Sequence, residues 1–298
     1  MSAPATHRGI VVGVDGSPPS KVAVDWAARD AAMRKIPLTV VHVLNPPTMV
    51  MTFPDTPMPP SPEYMQWQED EERTILNDAL KTVEESTKRV GRIDVSGELM
   101  TGSAVPTLVE LSKDAEMVVV GCRGRGALAR SLLGSVSTGL VHHAHCPVAV
   151  IHDENPLMPH PSQAPVLVGI DWSPASESAT AIAFDEASRR GVELVALHVW
   201  SDNALSQSVG FSTMQSLGEE TLAELLAGWQ ERYPDVKVRR IVVCSRPAHQ
   251  LVEQSESAQL VVVGSHGRGG FEGMLVRSVS TAVVHSSRIP VIVALGGG

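Results

Sequence analysis

The chain has 298 residues, 43% hydrophobic, 19% charged and only 4% aromatic, which is a soluble globular composition long enough for two ordinary domains. Its core must be built from Val, Leu, Ile and Ala, a palette suited to buried parallel strands. A net charge of −9 excludes broad, non-specific nucleic-acid binding, because no extended basic surface is available to neutralise phosphates.

The opening "MSAPATHRGIVVGVDGS" lacks the apolar core of a secretion signal, and no apolar stretch is long enough to span a bilayer. Cys122, Cys146 and Cys244 are too scattered for a disulfide framework. These features lead us to expect a cytoplasmic protein with reduced thiols and no membrane insertion.

Ile10–Val14 is a continuous apolar run and predicts a buried strand. Ser17 can cap the following helix, and Pro18 suits its first turn. That helix is expected to reach about Arg34, with Val22, Trp26 and Met33 at roughly helical spacing. Leu38–Val43 predicts the second strand. The segment "NPPTMVMTFPDTPMPPSPEYM" holds too many prolines for regular structure and reads as a mobile insertion rather than a lid or docking segment. A long helix is expected over Glu63–Val90, then a strand over Val95–Met100, a short helix over Ala104–Lys113 and a strand over Met117–Val120. A helix from Ser135 and a strand over Val148–Ile151 follow. "DEERT" (Asp70–Thr74) and "GEETLAEL" (Gly218–Leu225) read as charged faces of exposed helices.

The chain then repeats itself. "IVVGVDGSPPSKVAVDWAARDAAMRKIPLTVVHV" is matched by "VLVGIDWSPASESATAIAFDEASRRGVELVALHV" from Val166, and "MVVVGCRGRG…GSVSTGLVHHAHCPVAVI" by "LVVVGSHGRG…RSVSTAVVHSSRIPVIVA". The copies are too long for solenoid units, so this is domain duplication. "HDENPLMPHPSQAP", with four prolines, separates them. The expected domains are residues 1–152 and 165–298, with 153–164 as linker. Strands in the second copy are expected near Val166–Ile170, Leu194–Val199, Val238–Val243, Leu260–Val263 and Val291–Ala294. Apolar strands alternating with helices predict an α/β fold with a parallel sheet covered on both faces. Ligands of such folds bind beyond the carboxyl ends of the strands, where both "VDGSP" and the glycine-rich loop fall.

That loop carries Gly121, Gly124 and, after nine residues, Gly134 and Ser135. Glycine lets a backbone approach a ligand closely, and a helix starting at Gly134-Ser135-Val136-Ser137 presents free N–H groups and a positive dipole end. Ser135 and Ser137 add hydroxyls, and Arg123 and Arg125 can pair with phosphate oxygens. A single G-x-x-G is equally a flexible connection with helix capping. The whole pattern after a buried strand, present twice, points to an anion site. It contains neither a Walker G-x-x-x-x-G-K-[ST] nor a G-x-G-x-x-G at the first turn.

The pattern resembles the universal stress protein family, in its ATP-binding subgroup, and the duplicated chain is similar to tandem-domain members of mycobacteria. The resemblance covers nearly the whole chain. It implies two tandem Rossmann-like domains, each a five-stranded parallel sheet of order 3-2-1-4-5, often paired through their strand-five edges, within a chain or in a homo-oligomer. It implies ATP, with Mg2+, in the first domain. There Asp15, with Val14, Gly16 and Ser17 around it, lies near base and ribose, and Val41 to Val43 close over the adenine. Gly121 and Arg123 border the ribose, and Gly124, Gly134, Ser135, Val136 and Ser137 hold the phosphates. The second-domain counterparts are Asp171, Val199, Gly264, His266, Gly267, Ser278, Val279 and Ser280. Arg277 stands where the family has glycine, and either blocks the approach of backbone to ligand or reaches a phosphate itself.

Three further features carry blander readings. "HHAHC" (His142, His143, His145, Cys146) matches no standard zinc spacing, and its histidines suit a helix C-terminus. Cys122 lies near arginines that favour a redox role, but the second copy has Ser265, so a small residue suffices. His42 and His198 match each other near the end of strand two and suggest packing or hydrogen bonding beside the crevice rather than catalysis. Asp15 is the only obvious carboxylate there. The leading expectation is a non-enzymatic, nucleotide-dependent stress regulator with an unknown protein partner. A slow ATP hydrolase and an interaction module with a vestigial nucleotide site are the alternatives.

Overall fold

The computed structural model describes residues 8–44, 50–52, 56–58, 61–88, 90–124, 133–152, 163–200, 211–265 and 279–295. The first copy forms β1 (Ile10–Val14), α1 (Pro18–Arg34), β2 (Leu38–Leu44), β3 (Val50–Thr52), β4 (Thr56–Met58), α2 (Pro62–Thr87) and β5 (Val95–Thr101). It continues with α3 (Ala104–Leu111), β6 (Met117–Gly121), α4 (Ser135–His143) and β7 (Val148–Ile151). The second forms β8 (Val166–Ile170), α5 (Pro174–Arg190), β9 (Leu194–Trp200), α6 (Phe211–Arg232) and β10 (Val238–Cys244). It ends with α7 (Pro247–Ser255), β11 (Leu260–Gly264), α8 (Val279–Ser286) and β12 (Val291–Ala294).

Two compact units result, one built on β1–β6 with α1–α4 and the other on β7–β12 with α5–α8. In the first, β5, β2, β1 and β6 lie side by side and parallel, with Ile10 opposite both Leu38 and Met117. In the second, β10, β9, β8, β11 and β12 are parallel in the order 3-2-1-4-5. The last strand of the first copy, β7, adds to β12 in the opposite sense, with Val148 facing Val293. An apolar edge is thereby paired instead of exposed.

The central strands are apolar because both faces are covered, with Ile10, Val11, Val12, Val118, Val119, Val166 and Val262 fully buried, whereas β5 carries a half-buried Glu98 and β10 an exposed Arg239 and Arg240. The helix faces differ from expectation. On α1 the buried face carries Ala23, Val24, Ala27, Ala28 and Ala31, whereas Val22 is 40% exposed. Alanine at i, i+4 and i+8 brings the helix axis close to the sheet. Asp30, fully buried, is answered by Arg34 one turn on, at 2.7 Å. Glu186 and Arg190 repeat this pair on α5 at 2.8 Å.

The proline-rich insertion is not devoid of regular structure. β3 and β4 pair antiparallel, Met51 opposite Pro57. In a two-stranded ribbon every strand is an edge, where a residue without N–H costs little.

Candidate functional site

Ser17 starts α1: its side chain accepts from the Ser20 N–H, and Pro18 follows at the first helical position. Asp15 is held from behind by the same serine, whose N–H and hydroxyl donate to Oδ1 at 3.0 and 2.6 Å. Between them Gly16 takes φ 77°, a left-handed conformation. The aspartate carboxylate is therefore fixed beyond the end of β1, as the turn chemistry of Asp-Gly-Ser-Pro requires.

The glycine loop returns to this carboxylate. A Cβ placed on Gly124 would lie 2.6 Å from Asp15 Oδ2, and the Arg123 carbonyl lies 3.4 Å from Ser17 Oγ. Gly121 serves a different contact: a Cβ there would stand 2.8 Å from the backbone carbon of Pro19, so its bareness lets the start of α1 rest on β6. Gly264 repeats this against Ala175, also at 2.8 Å.

At the start of α4 the Gly134 N–H donates to the Cys122 carbonyl at 2.8 Å, which brings the helix start back to the end of β6. Gly134 is the cap residue and offers no side-chain acceptor. The N–H groups of the first turn have no partner within the helix, and the dipole places positive potential there. Ser135 is exposed, and Val136 half-buried beside it. Ser137 is turned inward: it is 1% exposed, with its hydroxyl 3.1 Å from the Cys122 carbonyl and 3.0 Å from that of Gly134. A third helical residue points back over its own N-terminal turn, so Ser137 closes the loop and only its N–H is left to face outward. Ser280 does the same on the Ser265 carbonyl, at 3.1 Å. Cys122 and Ser265 are thus matched, buried loop residues.

On the other side of β1, Val41 is buried opposite Gly13, and Val43 is half-buried at the end of β2. His42 lies between them, 4% exposed, with Nδ1 2.6 Å from the Val14 carbonyl. Its Nε2 is 2.5 Å from Glu72, which reaches in from α2. Asp15 is therefore not the only carboxylate beside the crevice. Glu72 sits within "DEERT", where Asp70, Glu71 and Arg73 are exposed as expected. No local signal marks Glu72, because its partner is 30 residues away.

The second copy keeps the frame and changes the furniture. Asp171 Oδ1 accepts from the Ser173 N–H and hydroxyl at 3.1 and 2.6 Å, and His198 Nδ1 lies 2.8 Å from the Ile170 carbonyl. Where the first copy has Gly16, however, the second has Trp172 at φ 62°. Left-handed backbone costs an L-residue roughly 1–2 kcal/mol, and for so bulky a side chain it is an outlier. The indole rests on the His198 ring, centroids 3.7 Å apart and planes tilted by 46°. Aligning the copies shows the tryptophan in place of a glycine, but not the ring it meets. Val199 is half-buried at the end of β9, and Gly264 ends β11. Val279 begins α8 and is 39% exposed. Arg125, His266, Gly267, Arg277 and Ser278 lie outside the described residues.

His142 and His143 end α4 and are exposed, as is His145, whereas Cys146 is buried. Burial pushes the Cys146 thiol up to about 12, against the lowering effect of a backbone hydrogen bond from Val118. Among the described residues no helix is long and apolar enough to cross a membrane, and no three His, Cys, Asp or Glu side chains group as metal ligands do.

Residues 6–152 and 164–294 each match the sequence profile of the universal stress protein family. One universal stress protein of Mycobacterium tuberculosis is 57% identical over 296 residues, covering 99% of this chain and 98% of its own. Another from the same organism is 60% identical over 296 residues, covering 99% of both chains. Among solved structures, a universal stress protein of Archaeoglobus fulgidus shares the fold with a TM-score of 0.72 at 20% identity, over 98% of this chain and all of its own.

Proposed function

Because this chain belongs to the universal stress protein family, we propose that its first domain is an ATP-binding regulator of a stress or dormancy response. The observation that carries this reading is the convergence of Asp15, the bare Cα of Gly124 and the side-chain-free cap of α4 at one crevice. The helix start suits a polyphosphate, and fixed N–H donors cost nothing to reorganise when it arrives. Asp15 Oδ1 is engaged by Ser17, and Oδ2 faces Gly124. The carboxylate stands where ribose hydroxyls would donate to it, and a side chain at position 124 would stand in their way. Mg2+ would enter with the nucleotide, held mainly by phosphate oxygens and water.

Regulation follows if ATP binds one arrangement of the loops or of the domains better than another. We read the chain as a binder rather than an efficient hydrolase. Steady-state turnover above about one per second, lost in Asp15→Ala, would reverse that choice. Mass spectrometry of gently purified protein should find adenine nucleotide carried or taken up. Gly124→Ala drives a methyl against the held carboxylate and should weaken ATP at least about tenfold, or about 1.4 kcal/mol. Protein that takes up no adenine nucleotide would favour a vestigial site on an interaction module.

A further inference from the structure

The two crevices share a backbone and differ in what projects at one end. Gly16 and Trp172 hold the same place after strand one, at φ 77° and 62°. In the first domain that place carries no side chain, and the His42 ring is met by Glu72 from α2. In the second, the indole lies on the His198 ring at 3.7 Å between centroids.

The sheet order makes this difference matter. A ligand gripped by its anionic end at the start of α4 is anchored at β6. Because β6, β1 and β2 are neighbours, its other end must run across β1 toward β2, two inter-strand spacings, or about 10 Å. A nucleoside polyphosphate laid that way puts its base near the end of β2. In the second domain the same path starts where Ser280 ties α8 to the end of β11, crosses β8 and finishes at His198. The indole already lies there. It is a flat aromatic group of about the size of a purine, on the surface a base would cover, and it projects from a backbone that in the first copy is glycine.

We propose that Trp172 is a built-in plug: its indole takes the base end of the second crevice, so the chain binds one nucleoside polyphosphate, in the first domain, and none in the second. This rests on reading the first crevice as the nucleotide site. The plug also accounts for a tryptophan held at left-handed φ, since only a residue whose side chain is needed at that spot has reason to replace glycine there.

Equilibrium dialysis of the full chain against labelled ATP with magnesium counts the sites. The wild type should bind one ATP per chain, Trp172→Gly two, and Gly16→Trp none. Trp172→Ala, which removes the indole but keeps a Cβ, should also bind two, and circular dichroism melts would confirm that each variant is folded. A wild-type count of two, or a count that stays at one in both Trp172→Gly and Trp172→Ala, overturns the plug. So does loss of a site on removing the indole, which would make it a stacking platform for the base. A count of zero in the wild type and one in Trp172→Gly would sink the first-crevice reading while leaving the plug in place. Zero throughout would sink both.

Discussion

A methyl added to Gly121 would stand 2.8 Å from the Pro19 backbone carbon, closer than carbon atoms approach without displacement of the chain. Gly121→Ala should therefore destabilise the first unit by about 1–3 kcal/mol, the range for overpacking a close contact. The drop should appear as a lower denaturant midpoint at unchanged slope. An unchanged midpoint would mean that α1 can lift from β6 at no cost. Cys146 makes a pH prediction. Its thiol is raised from 9.0 to about 12 by burial, so between those values the unfolded chain ionises and the folded chain does not. The unfolded state then binds fewer protons, and stability falls as pH rises through that window, by up to about 1.4 kcal/mol per unit. Cys146→Ala should flatten that part of the stability profile, measured by denaturant unfolding between about pH 9.5 and 10.5.

At the scale of elements, α1 joins folding to the site. Ser17 caps the helix and holds Asp15 with the same hydroxyl. Ser17→Ala should cost about 1 kcal/mol in stability, as a lost cap does, and should weaken ATP as well, because Asp15 loses a holding bond. Ser17→Asn, which can cap the helix, should recover the stability more fully than the affinity. Calorimetric titration beside unfolding curves separates the two effects, and equal recovery of both would show that Asp15 needs no such hold. The helix boundaries were legible from capping residues: Ser17-Pro18 and Ser173-Pro174 begin α1 and α5 as their chemistry demands. Which face of α1 turns inward was not. Val22 and Trp26 stand out in the sequence, yet the buried face is Ala23, Val24, Ala27, Ala28 and Ala31, whose mostly small side chains bring the helix close to the sheet.

For the molecule as a whole, the edge of β12 is covered by a strand of the first copy. β7 belongs to the first copy by sequence and pairs with β12 at Val148–Val293 and Val150–Val291. A fragment of residues 164–298 lacks β7, bares an apolar β12 edge and should self-associate more than the full chain. Light scattering at matched concentration distinguishes them, and a fragment no more associated than the full chain would show that β12 needs no cover. His152, just after β7, adds to this attachment: its Nδ1 and Nε2 lie 3.1 Å from the Ile289 carbonyl and 3.0 Å from that of Val284.

By itself the sequence determined the duplicated α/β architecture, the caps, the strands and the glycine pattern of the loop, because each is written in residues close together in the chain. The tertiary structure decided three things that are not local. It brought Glu72 to His42, turned the Ser137 hydroxyl inward and laid Trp172 on His198. Periodicity and spacing report which backbone a segment adopts. Which side chains fill the space between segments depends on how the segments pack, and there a single glycine exchanged for tryptophan makes two copies of one frame unlike.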